Sequence, residues 1–180
     1  MSLSKSRALD TERLWAYALK LMGGRAYSIG ELRDKLGRRA ERAGDIDEIL
    51  RRLKDSGYLN DERFAEGFAA ARLANDKFGS TRVIRDLRQR RVAPALAERT
   101  VHKLYADVNE QAMIEDWIRR KYRSASRDNL FATDKEMAAA FRRLVRAGFR
   151  SGDVLRTLKR FTRNPELLDS FEPPEEPTEE

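Results

Sequence analysis

Fifteen apolar positions recur in three registers along this chain, and that recurrence restricts the fold more than any other feature. Leu32, Leu36, Ile46, Leu50 and Leu53 map, at a shift of 51, onto Val83, Leu87, Ala97, Val101 and Leu104. A further shift of 57 reaches Ala140, Leu144, Val154, Leu158 and Phe161. The same fourteen-residue interval separates Leu36 from Leu50, Leu87 from Val101 and Leu144 from Leu158. Chance is a poor explanation when only 41% of the sequence is hydrophobic. A unit of about fifty residues buries little surface by itself, so neighbouring units must share contacts. The expected fold is all-α: a tandem array of three three-helix repeats forming an elongated, curved molecule.

Local punctuation agrees with that period. Pro94 and Pro165 sit between periodic segments, and no candidate helix contains an interior proline. Ser28 with Glu31 and Thr133 with Glu136 have the spacing of capping boxes, and Asp45 with Glu48 is a weaker version. Asn60, Ser80 or Thr81, and Asn109 suit further helix starts, and Pro94 a first helical position. Gly57 and Gly148 follow apolar stripes and suit left-handed helix ends. Nothing reads as a strand. Nine helices are expected, over 10–23, 29–42, 46–56, 61–76, 81–91, 94–106, 110–123, 134–147 and 152–163. They group as 1–58 (N-terminal segment and repeat 1), 59–107 (repeat 2) and 108–163 (repeat 3), followed by 164–180.

Composition narrows function. Without cysteine there is no disulfide, no thiol nucleophile and no Cys-containing zinc site, and the lone His102 cannot form a metal cluster. No segment approaches the roughly 20 apolar residues that span a bilayer, and the first residues lack the apolar run of a signal peptide. The expectation is a cytoplasmic protein with no membrane partner, no cofactor and no metal. The formal charge is +7, but Glu172 to Glu180 hold five glutamates, three prolines and no base. Removing them leaves 37 bases against 25 acids, a balance of +12. Residues 164–180, rich in Pro and Glu, are expected to be a disordered acidic tail. The basic remainder suggests a polyanion or an acidic protein groove as partner.

The run from Leu53 through Asp55-Ser56-Gly57-Tyr58-Leu59-Asn60-Asp61-Glu62-Arg63-Phe64 to Ala65, followed by Gly79 to Leu87, resembles the RecX family of RecA regulators. Ser28 with Glu31-Leu32 and Lys35-Leu36 looks like that family's first-repeat signature, and Leu144 to Phe149, with its Gly148-Phe149 pair, like its third. The resemblance runs from about Tyr17 to Phe161. The longer basic connection Arg38 to Gly44 and the loop Ser124 to Ala132 depart from the pattern. The resemblance implies a protein that lies in the groove of the RecA filament on DNA and typically inhibits strand exchange, ATP hydrolysis and SOS co-protease activity. Three units of roughly 25 Å span on the order of 75 Å, long enough to bridge filament subunits.

Arginines are the candidate contact residues. If the fifth helix packs through Val83, Ile84 and Leu87, then Arg82, Arg85 and Arg88 point the other way at 100° per residue. Ala140, Phe141 and Leu144 place Arg142, Arg143 and Arg146 outward in the same manner. Arg85 is repeat-equivalent to Arg142, and Arg38 to Gln89 and Arg146. Arg119, Arg120, Lys121 and Arg123 form a further dense cluster. These eleven residues form the expected basic face for a RecA filament or DNA. A solvated surface with local salt bridges is the alternative for each of them. Asn60-Asp61-Glu62 is expected to cap a helix, and Tyr58, Leu59 and Phe64 to pack between repeats. Trp15, Tyr17, Phe68, Trp117, Tyr122 and Phe141 are expected in packing, with Tyr122 also able to stack on a base.

An enzyme is not expected. Gly23-Gly24 lacks a following phosphate-loop lysine, the serines lack a histidine base, and the carboxylates lie beside bases along helices. Besides a monomeric RecA regulator, two readings remain: a sequence-independent binder of single- or double-stranded DNA built from helix-turn-helix-like units, and a structural adaptor.

Overall fold

The computed structural model describes residues 8–122, 130–131 and 133–162. The expected acidic tail 164–180, Arg123 and most of the loop 124–132 lie outside the described residues. Among the described residues the chain is all-α, with nine helices and no strand. They are α1 (Thr11–Gly24), α2 (Ile29–Gly37), α3 (Ala43–Asp55), α4 (Asp61–Ala71), α5 (Ser80–Gln89), α6 (Pro94–Tyr105), α7 (Glu110–Lys121), α8 (Asp134–Arg146) and α9 (Ser151–Lys159). No helix among these residues is long and apolar enough to cross a membrane.

Four boundaries differ by more than two residues from the sequence expectation; the simplest is that of α9, which ends at Lys159 instead of 163, with the Leu130 N–H donating to the Phe161 carbonyl just beyond it at 2.8 Å. Helix α2 stops at Gly37 instead of running to 42, because the following backbone pairs with Leu9. Leu9 donates to the Arg39 carbonyl at 2.7 Å and accepts from the Glu41 N–H at 3.0 Å, an isolated parallel bridge centred on Ala40. Helix α3 begins at Ala43, so Asp45 lies inside its first turn and is not its cap. Asp45 instead pairs with Arg42 at 3.4 Å. Finally, α4 does not stay α to residue 76; it widens into a π turn over Arg72–Asp76, closed by Lys77 at φ 55°.

Of the fifteen repeated apolar positions, all are buried except Ile46, Leu104 and Phe161, which are half-buried. The residues fall into two compact units, one within Met1–Ala69 and Asp86–Thr100, the other within Ala70–Arg85 and Val101–Glu180. The first has a core of Leu14, Ala18, Leu32, Leu36, Ile49 and Leu53. The second is centred on Ile114, Ile118, Phe131, Met137, Phe141 and Leu144. Helix α5 contributes its early residues to the second unit and its last to the first, so the boundary between the units falls inside this helix.

Within each unit the start of one repeat's second helix lies against the end of the next repeat's second helix. In the first unit, Ser28 caps α2 by accepting from the Glu31 N–H at 3.0 Å while Glu31 accepts from the Ser28 N–H, so the expected capping box is formed. The Ser28 hydroxyl donates in turn to the Arg90 carbonyl just beyond α5. In the second unit, Gly79 N–H donates to the Ala147 carbonyl at 2.9 Å and Thr81 Oγ1 to the Gly148 carbonyl at 2.7 Å.

Both junctions carry a second cap from elsewhere in the chain. Asp61 Oδ1 accepts from the Ile29 N–H at 2.8 Å, and Glu110 Oε1 accepts from the Ser80 N–H at 2.7 Å. These carboxylates occupy equivalent places in Leu59-Asn60-Asp61 and Val108-Asn109-Glu110, where each Asn caps its own helix. Asp61 thus starts its own helix as expected and also closes another, with the helix N-terminus favouring negative charge.

Burial raises the Asp61 carboxyl above its ordinary range, with the Ile29 N–H and Lys54 opposing that shift. A raised carboxyl contributes most to stability below its unfolded pKa, and that contribution is lost as pH rises through the folded value. Asp61→Asn, which keeps a side-chain acceptor without charge, should therefore gain in stability relative to the parent as pH rises from 3 to 6. Asp61→Ala should lose about 0.5–2 kcal/mol at neutral pH by leaving Ile29 uncapped. Denaturant unfolding across that pH range measures both; a parallel pH profile for the parent and Asp61→Asn would remove Asp61 as a titrating contributor.

Candidate functional site

The second unit contains a cleft of ≈ 500 Å³ whose lining includes Arg82, Arg142, Arg143 and Arg146 and no acidic residue. Phe78, Trp117 and Tyr122 supply its aromatic walls. Two helices bring the arginines together. Helix α8 buries Met137, Ala140, Phe141 and Leu144, which leaves Arg142, Arg143 and Arg146 exposed on its other side. Helix α5 meets the end of α8 at the Gly79–Gly148 junction and so delivers Arg82.

Arg82 is half-buried, not fully outward as the helical wheel suggests. Its guanidinium lies 3.7 Å from the centre of the Phe78 ring, and Nη1 donates to the Arg146 carbonyl at 3.3 Å. Stacking on an aromatic face and a backbone bond hold the planar donor fork in place before any ligand arrives. Arg146 Nε donates to the Arg142 carbonyl at 3.2 Å, which fixes a second fork along the helix. Trp117 and Tyr122 meet edge to face at 6.4 Å, and Tyr122 meets Phe131 in the same way at 5.2 Å. Burial pushes the Tyr122 phenol up, with Arg143 opposing the shift. Four guanidinium groups beside aromatic walls are donors of the kind that suit carboxylates or phosphates.

The other expected contact residues are placed differently. Arg119 pairs with Glu115 at 3.3 Å, and Arg120 Nε donates to the Asp116 carbonyl at 3.2 Å; both are exposed and locally engaged. Lys121 is exposed one helical turn after Trp117, on the same side of α7. Arg85 is half-buried in the second unit. Arg38 and Arg88 are exposed and belong to the first unit, where Arg88 pairs with Glu98. Arg123 lies outside the described residues. Trp117 and Tyr122, expected in packing, do pack, and they also wall the cleft. Phe78 was not singled out; its place immediately before Gly79 and a helix start was the available signal. Among the described residues, no group of three or more His, Asp or Glu side chains converges as a metal site would require.

Residues 60–101 match the family model for the second three-helix domain of RecX. The regulatory protein RecX of Trichlorobacter lovleyi is 33% identical over 141 residues, covering 78% of this chain and 90% of that protein. That of Syntrophotalea carbinolica is 30% identical, with 76% and 88% covered. The chain belongs to the RecX family. RecX proteins are regulators and not enzymes, and the resemblance carried by residues 17–161 had pointed to this family. The RecX of Deinococcus radiodurans is 33% identical over 84% of this chain and 69% of its own. The fold agrees as well: the crystal structure of RecX from Lactobacillus salivarius superposes with a TM-score of 0.67 at 18% identity, over 84% of this chain and 96% of that one.

Proposed function

We propose that the protein is a cytoplasmic regulator of RecA that sets its arginine cleft against the RecA–DNA filament and inhibits strand exchange, ATP hydrolysis and SOS co-protease activity. One observation carries this reading: arginines from two repeats, Arg82 with Arg142, Arg143 and Arg146, converge on one cleft with no acid in its lining. Such a site suits an acidic protein surface or a phosphate backbone, and a filament groove offers both. The repeats at 1–58, 59–107 and 108–163 are the modules through which a repeating partner would be followed.

Direct DNA binding without sequence preference is the second reading, favoured by the aromatic walls beside the arginines. It is the weaker one, because Arg82 already covers one face of Phe78 and Tyr122 is packed between Trp117 and Phe131. Measuring affinity for naked DNA, free RecA and the RecA–DNA filament in parallel separates these readings. The RecA reading expects the filament to bind tightest. Equal affinity for naked DNA and filament would replace it with the DNA reading, and binding to none of the three would reject both.

A further inference from the structure

The first unit has a cleft of different character. Its volume is ≈ 480 Å³, and its lining includes Leu19, Met22, Tyr27, Tyr58 and Phe64. Among the described residues, Leu19 at 40% and Tyr58 at 64% exposure are the large hydrophobic side chains left open to solvent, and both line this one cleft. Tyr58, expected to pack between repeats, instead stands out in solvent. Open apolar side chains gathered beside a concave surface are a mark of protein docking, and an aromatic residue over such a pocket is the commonest kind of energetic anchor.

Charge specifies the occupant further. The lining contains Arg25 and Arg63 and no carboxylate. Arg25 is stacked 3.7 Å over the Tyr27 ring and bonded to Glu31, which is shared with Arg90. Arg63 is positioned by its bond to the Gly57 carbonyl at 2.6 Å. The apolar floor thus has cations fixed at its rim.

We infer that this cleft is a protein-docking site that takes an aliphatic or aromatic anchor residue flanked by carboxylates. The partner that presents this segment is RecA, and that identity rests on the function proposed above; the chemistry of the cleft does not. Contact here adds an apolar, salt-resistant component to binding, which the arginine cleft cannot supply, because interactions among exposed charges are screened by salt.

The test uses the full chain, a Leu19→Ala/Tyr58→Ala double variant, and Tyr58→Phe as the conservative control. A thermal melt confirms folding; both altered side chains are solvent-exposed, so all three proteins should melt together. The first probe is a fluorescein-labelled hexapeptide, Asp-Glu-Leu-Phe-Glu-Asp, followed by anisotropy. Saturable binding that falls about tenfold in the double variant and persists in Tyr58→Phe is expected. Absence of binding, or equal binding to parent and double variant, would overturn the inference. The second probe is the RecA–DNA filament at about 0.5 M salt, where charge contacts are suppressed. Loss of the residual affinity in the double variant supports RecA as the partner. If the peptide result holds and the filament affinity is unchanged, the docking site stands and RecA is not what it binds. If filament binding depends on the arginines and the peptide ignores the cleft, the inference alone fails.

Discussion

Reversing the charge at Arg142, Arg143 and Arg146 together should lower the affinity for the RecA–DNA filament by about 100-fold at low salt, on the order of 1 kcal/mol per reversed charge. Inhibition of RecA ATP hydrolysis should fall with it. The three side chains are exposed and lie opposite the buried stripe of α8, so the melting temperature should stay near that of the parent. Leu144→Ala offers the contrast: its side chain is fully buried, and truncation should cost about 2–5 kcal/mol through lost burial and the cavity left behind. One change abolishes inhibition in a folded protein; the other does so by unfolding it. Added salt should shrink the gap between parent and triple reversal. Equal inhibition by parent and triple reversal throughout a salt titration would show that these arginines are only a solvated face.

Gly148→Ala should destabilise the protein by about 3 kcal/mol or more, whereas Gly57→Ala should cost only about 1 kcal/mol. Both glycines have positive φ, 94° and 71°, so both substitutions carry the strain of a left-handed alanine. Their surroundings differ. A Cβ at Gly57 would meet nothing within 4 Å, whereas one at Gly148 would run into Arg82 at its Cβ and N and into the Gly79 carbonyl at 2.8 Å. Relief would require parting α5 from the end of α8, which also dismantles the arginine cleft. Gly148→Ala should thus lower the melting temperature by about 10 °C and weaken filament binding together. A melt in which the two variants are equally stable would contradict the close junction.

These contrasts show which parts of the molecule were legible in the residues. The three registers of apolar positions became the buried core because burial in packed helices demands that period. The starts at Ser28 and Thr133 and the ends at Gly57 and Gly148 were legible because capping is settled within four residues. The span 38–42 misled for the opposite reason: Arg38, Arg39, Ala40, Glu41 and Arg42 are sound helix formers, yet Leu9, some thirty residues earlier, captures that backbone. The second caps at Ile29 and Ser80 were hidden likewise, although the paired Leu59-Asn60-Asp61 and Val108-Asn109-Glu110 repeat in plain sight. Helical geometry sent Arg82, Arg142, Arg143 and Arg146 to polar faces. It could not show that α5 and α8 meet at Gly79 and Gly148, and only that meeting turns four separate cations into one site.

Helix α5 gives the repeats a different standing from beads on a string. Its N-terminus is completed by Glu110 and the end of α8, and its C-terminus lies under Ser28 and Gly30. The boundary between the two compact units therefore falls inside α5 and not between two copies of the fifty-residue pattern. Excising the middle repeat would not return a shorter version of the same protein. It would strip α2 of Asp61 and of the Arg90 carbonyl, and leave the end of α8 with no helix start to receive it.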